Sequence, residues 1–181
     1  MADADNNDID ILNSLVTTTI DSANGFERSA ENVEDSSLRS MFQDFARERR
    51  EVVSRLQSQV SALGGTPNDD GSLKADLHRR FEDLRQAIGG GTKAVVEEVE
   101  RGEDYIKAKY ETAMKDDQLG AESRAVLAQC FESIRAGHDK ASALKHSMQG
   151  GSGDSATASA YQDSVGLDRD TGASSAGGPA I

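Results

Sequence analysis

Apolar side chains recur along this chain at the spacing of packed helices. Ile9, Leu12, Val16, Thr19, Ala23, Phe26, Ala30 and Val33 follow one another at intervals of 3-4-3-4-3-4-3, which keeps a single seam facing a neighbour. Asn7 or Asp8 is expected to cap the first turn, where an acid also suits the positive end of the helix dipole. Asp35-Ser36-Ser37 is a polar break that ends this helix and caps the next. A second seam runs Leu38, Phe42, Phe45, Arg49, Val52, Leu56, Gln59 and Leu63, and Gly64-Gly65-Thr66-Pro67 stops it. So short a connection makes the two helices antiparallel neighbours.

Asn68 to Ser72 reads as a turn. Leu73, Leu77, Phe81, Leu84 and Ile88 then mark a shorter amphipathic helix, closed by Gly89-Gly90-Gly91. A third long helix carries Val96, Val99, Glu103, Ile106, Tyr110 and Ala113 and ends near Asp116-Asp117. The fourth carries Leu127, Phe131, Ile134, His138, Ala141 and Met148 and ends at Gly150-Gly151. No segment alternates at period two, so no strand is expected. Residues 149–181 contain nineteen Gly, Ser or Ala, too little apolar area to offset the entropy of ordering, and read as a disordered tail. Tyr161, Val165 and Leu167 are its one weak apolar island. The expected organisation is a flexible start over 1–7, a helical bundle over 8–148 and the tail over 149–181. If the short helix runs back along the bundle, the third helix starts at the same end as the second. That is an all-α, ferritin-like four-helix bundle with an extra helix in its long crossover.

Composition narrows the function. The 181 residues include 32 acids and 20 bases, a net charge of −12, which argues against a nucleic-acid binder because phosphate contacts need a basic face. A single cysteine, Cys130, excludes an internal disulfide framework and a Cys-rich zinc module. The acidic start is followed by no apolar run of a secretory signal, and no stretch approaches the ~20 apolar residues of a membrane span. A cytoplasmic protein is expected. Residues 1–35 carry nine acids and one base, whereas residues 36–65 carry three acids and five bases. An acidic first helix therefore lies against a basic second, a pattern that disfavours wrong pairings more than it stabilises the right one.

A bundle of this topology raises the question of a di-metal site. Such sites are usually supplied by a lone Glu on two helices and Glu-x-x-His on the other two, a spacing that sets carboxylate and imidazole on one face. The three histidines, His78, His138 and His146, are preceded at that spacing by Ala75, Arg135 and Ala143, so the motif is missing. A degenerate set remains. Counting outward from the two tight turns places Glu27, Asp44 and Glu48 level with Glu100 and His138, donors that suit iron, manganese or zinc. Against it, Glu27, Glu48 and Glu100 stand beside the seam, the ordinary place for a solvated flank. Arg49 and Glu103 fall on seam positions, where a buried ion pair can fix helix register. Cys130 reads as a buried, inert thiol, and no nucleophile–base pair for hydrolysis is legible.

Several short elements occur together in chain order. They are Asp21-x-x-x-Gly25-Phe26 with Ser29-Ala30-Glu31, Ala46-x-x-Arg49, Leu63-Gly64-Gly65, Leu77-His78-Arg79, Glu100-Arg101-Gly102-Glu103-Asp104 with Tyr110, and His138 with Leu144. The set resembles a bacterial family of ferritin-like four-helix-bundle domains of unknown function, over roughly residues 8–148. The resemblance implies the bundle with a helical crossover and directs attention to Asp21, Glu31, Arg49, His78, Glu100, Glu103 and His138. It implies no activity. The expectation is a non-catalytic interaction or stress-associated bundle without a cofactor, meeting a protein partner or forming a homo-oligomer, with no nucleic acid and no membrane. The competing expectation is a divergent iron or manganese carboxylate protein or oxidoreductase.

Overall fold

A computed structural model describes residues 2–71 and 91–150. Every regular element among them is an α-helix: α1 (Ala2–Asn32), α2 (Ser36–Ala62), α3 (Gly91–Met114) and α4 (Ala121–Gly150). The helix expected over 73–88 and the tail beyond Gly150 lie outside the described residues. No helix among the described residues is long and apolar enough to cross a membrane.

The helix ends follow from local chemistry. Asp35 caps α2, its carboxylate accepting from the backbone N–H of Ser37 and Leu38 at 2.8 and 3.0 Å. At the far end Gly64 takes φ +80, the left-handed conformation that glycine adopts without steric cost. Gly65 N–H then reaches the Val60 carbonyl and Gly64 N–H that of Ser61, so the last carbonyls of α2 are satisfied in a Schellman turn. Each hairpin also carries an arginine in the first turn of its second helix. Arg39 donates to the carbonyls of Ala30 and Val33, and Arg124 to those of Met114, Asp116 and Leu119. Both cations sit at the negative end of the preceding helix.

One expectation at the amino end fails. α1 starts at Ala2 instead of residue 7 or 8, and Asp8 is buried inside it. Its carboxylate accepts from Gly120 N–H at 3.0 and 3.2 Å, so Asp8 caps α4 and not its own helix. A Cβ on Gly120 would lie 2.7 Å from that carboxylate, which is why the approach requires glycine.

Contacts close a ring in which α1 packs on α2 and α3, and α4 packs on α3 and α2. α2 and α3 face each other across the diagonal. Asp8 at the start of α1 meets the end of the α3–α4 turn, and Ser22 further on meets Glu103. α1 and α3 therefore run antiparallel, as α1 and α2 do, and the bundle reads up, down, down, up. α2 therefore ends, and α3 begins, at opposite ends of the bundle.

The first residues of the connection from α2 to α3 make the climb visible. Gly65 abuts Ile9. Asn13 donates to the Thr66 carbonyl and accepts from Asn68 N–H, Asn68 donates to Thr17 at 3.0 Å, and Gly71 abuts Asp21. Ile9, Asn13, Thr17 and Asp21 are one ridge of α1 at four-residue spacing. Its length is about 18 Å at 1.5 Å per residue, which the six extended steps from 65 to 71 cover at about 20 Å.

Two apolar clusters fill the interior. One joins Leu12, Val16, Leu56, Ile106, Leu127 and Ile134. The other joins Phe26, Val33, Phe42, Phe45, Val96 and Ala141. Leu15, Ile20 and Val53, which stand off the seams, are buried in the first as well. Between the clusters lies a polar layer.

Candidate functional site

All four helices contribute to that layer. Arg49 of α2 and Glu103 of α3 form an ion pair with Nη2–Oε2 2.5 Å, at 0% and 1% side-chain exposure. Arg49 Nη1 also donates to the Ser133 carbonyl of α4 at 3.3 Å. On the other side Ser22 of α1 donates to Glu103 Oε1 at 3.4 Å. Phe26 lies under the guanidinium, whose central carbon is 5.8 Å from the ring centroid. Gly137 leaves the room: a Cβ there would come within 2.4 Å of Arg49 Nη2 and 2.9 Å of Glu103 Oε2. One turn away Thr19 and Tyr110 share a buried hydrogen bond of 2.9 Å.

Burial raises the Glu103 carboxyl above its ordinary range, opposed by the charge and bond of Arg49, the charge of His138 and the bond from Ser22. Burial also raises the Tyr110 hydroxyl, with Thr19 opposing. The same cause pushes the Cys130 thiol up to about 11. A raised hydroxyl and a raised thiol are each less nucleophilic near neutral pH than an ordinary one.

The residues weighed as metal ligands go elsewhere. Glu27 stands outside and pairs with Arg50 at 3.0 Å. Asp44 is exposed and pairs with Arg47 one turn on, and Glu48 is partly buried on the same helix. Glu100 is buried at the rim of the bundle and accepts from Lys145 at 2.8 Å. The Glu100 bond in turn raises the Lys145 ammonium, against a smaller opposing effect of burial. His138 lies with Nε2 2.9 Å from Asp104 and Nδ1 3.0 Å from Asp139. Both ring nitrogens thus face a carboxylate. Among the described residues no three His, Cys, Asp or Glu side chains gather as a metal would require. The count along the helices gave comparable heights, but Glu27, Asp44 and Glu100 each pair with a cation on its own or an adjacent helix.

Of the other positions the resemblance pointed to, Asp21 abuts the connection at Gly71, Glu31 is exposed and His78 lies outside the described residues. A crevice of about 80 Å³ opens between α1 and α3, with Phe26, Val99, Glu103 and Ile106 in its lining and Asp21 and Glu98 among its polar groups. Tyr105, also in that lining, is 41% exposed and is the one large apolar side chain among the described residues that is exposed.

The contributors to the layer that periodicity did not single out are Ser22, the Ser133 carbonyl and Gly137. Gly137 left one trace, a lone glycine inside a helical pattern, which signals close approach. The others are long-range pairings without local signal.

The fold and its central layer define an all-helical bundle closed around a neutral ion pair. The chain belongs to the family of the domain of unknown function DUF2383, whose model matches residues 7–116. That span takes in nearly all of α1, with α2 and α3 complete. No curated protein matches the chain.

Proposed function

We propose that this protein is a ferritin-like bundle of the bacterial cytoplasm, with an extra helix over 73–88 in its crossover, that works as a non-catalytic interaction or stress-associated module. Its business is at the surface, with a protein partner or a second copy. The observation that carries the reading is the Arg49–Glu103 pair. At the centre, where a bundle of this topology would gather inward-facing ligands, the one buried carboxylate is already neutralised by the chain's own guanidinium. Arg50, Arg47 and Lys145 engage three of the remaining acids.

The test is elemental analysis of protein purified without chelator and then exposed to Fe(II) or Mn(II) under air. The expected result is no stoichiometric metal and an unchanged melting temperature. Stoichiometric metal that is lost on His138→Ala overturns the reading in favour of an iron or manganese carboxylate protein using Glu27, Asp44, Glu48, Glu100 and His138.

A further inference from the structure

We infer that residues 65–71 form a latch, an extended segment that side-chain amides hold against α1 and that opens as a unit while the bundle stays folded. Its conformation is set locally. Thr66 precedes Pro67, and the residue before a proline is driven to extended backbone. Asn13 of α1 reads Thr66-Pro67-Asn68 by its main chain: Nδ2 donates to the Thr66 carbonyl at 3.0 Å, and Oδ1 accepts from Asn68 N–H at 2.8 Å. One side-chain amide thus does what a residue of a neighbouring parallel strand would do. Pro67, between the two contacts, has no N–H to leave unmet. Asn68 completes the catch from the other side. Its Nδ2 donates to the Asn13 carbonyl at 3.4 Å and to Thr17 Oγ1 at 3.0 Å, and its own carbonyl accepts from Gln57 of α2 at 2.7 Å.

The segment is fastened differently from the helices it lies on. All five of these hydrogen bonds are at the surface, where water replaces each at little net cost. No residue of 65–71 belongs to either apolar cluster, whereas Leu12 and Val16 anchor α1, and Val52 and Leu56 anchor α2, in the first of them. Exposed hydrogen bonds with few buried apolar contacts mark a segment that opens well below the free energy of global unfolding. Opening lifts Gly65 off Ile9 and Gly71 off Ile20. It thereby bares one edge of the first apolar cluster, to which both isoleucines belong or pack.

Amide exchange followed by NMR on the full chain tests this, with the amide of residue 68 as reporter. In the wild-type protein it is expected to be protected at least about tenfold, through an opening that low urea leaves unchanged. The amides of Val16 and Leu56 are expected to exchange far more slowly and to lose protection as urea is added. Asn13→Ala removes two bonds of the catch and Asn68→Ala removes two others. Either should speed exchange at residue 68 by about tenfold, with Val16 and Leu56 unaltered to show that the bundle still folds. An unprotected Asn68 amide in the wild-type protein overturns the proposal. So does protection that falls with urea in step with that of Val16 and Leu56, since the segment then opens only with the bundle. Protection at residue 68 that both variants leave unchanged overturns Asn13 and Asn68 as the catch.

Discussion

Replacing Arg49 with methionine exposes the energetics of the central layer. At a charge separation of about 4 Å and an effective dielectric of about 20, the pair attracts by about 4 kcal/mol. Removing two such groups from water costs several kcal/mol per ion, so the intact pair is close to break-even. The single substitution is different. It leaves Glu103, 1% exposed, with Ser22 at 3.4 Å as its remaining hydrogen-bond partner among the described residues, and stranding a buried charge costs about 3–5 kcal/mol. Arg49→Met with Glu103→Leu removes both charges at similar volume and is expected within about 1 kcal/mol of the wild-type protein, or above it. Urea unfolding followed by helical circular dichroism measures the cycle, provided the m-values agree. The pH dependence has a defined sign. Burial already raises Glu103 and Arg49 is the leading opposing influence, so Arg49→Met lifts its folded pKa further above the unfolded value. The penalty is then small below the unfolded pKa and grows as pH rises toward the folded one. The deficit of Arg49→Met must therefore shrink on acidification. A deficit under about 1 kcal/mol at pH 7, or a double variant as unstable as the single, refutes the reasoning.

Other substitutions follow from contacts already described. Gly137→Ala and Gly102→Ala both gain about 1 kcal/mol of helix propensity. The first drives a methyl into Arg49 and should lose about 1–3 kcal/mol net, whereas the second meets open space among the described residues and should stabilise; thermal melts of the two separate the effects. Asp8→Ala should lose about 1 kcal/mol through the uncapped Gly120 N–H, with Asp8→Asn recovering part of it in the same assay. The Cys130 thiol, raised to about 11 from an ordinary 9, favours the folded state's neutral form. Stability should fall as pH climbs from 9 toward 11, because the unfolded chain ionises first, and Cys130→Ala should flatten that slope. A thiol reagent at pH 8 should label Cys130 only on unfolding.

The helices and turns were legible because each is written locally: a 3-4 rhythm, Asp35 before α2, Gly64-Gly65 after it. Arg49 and Glu103 stood out for a related reason, since a charge on an apolar seam has only the core to enter. What could not be read was rotation about the helix axis. Glu27, Asp44, Glu100 and His138 sit close to the seams, and a few tens of degrees decide between the interior and Arg50, Arg47, Lys145 or Asp104. Asp8 failed as a local cap because its partner is 112 residues away. Nothing in its immediate sequence distinguishes the two roles.

The ion pair spans the bundle's diagonal, from the first hairpin to the second. Each hairpin can form early through short-range contacts, still leaving its half of the pair hydrated. Joining them must dehydrate both ions in one event, and a partner slipped by a single turn would bury one charge alone. On a route where the hairpins dock last, the cost of dehydrating Arg49 and Glu103 would fall at that docking step. A chain with both ions replaced by apolar groups should refold faster, with less penalty for a shifted alignment.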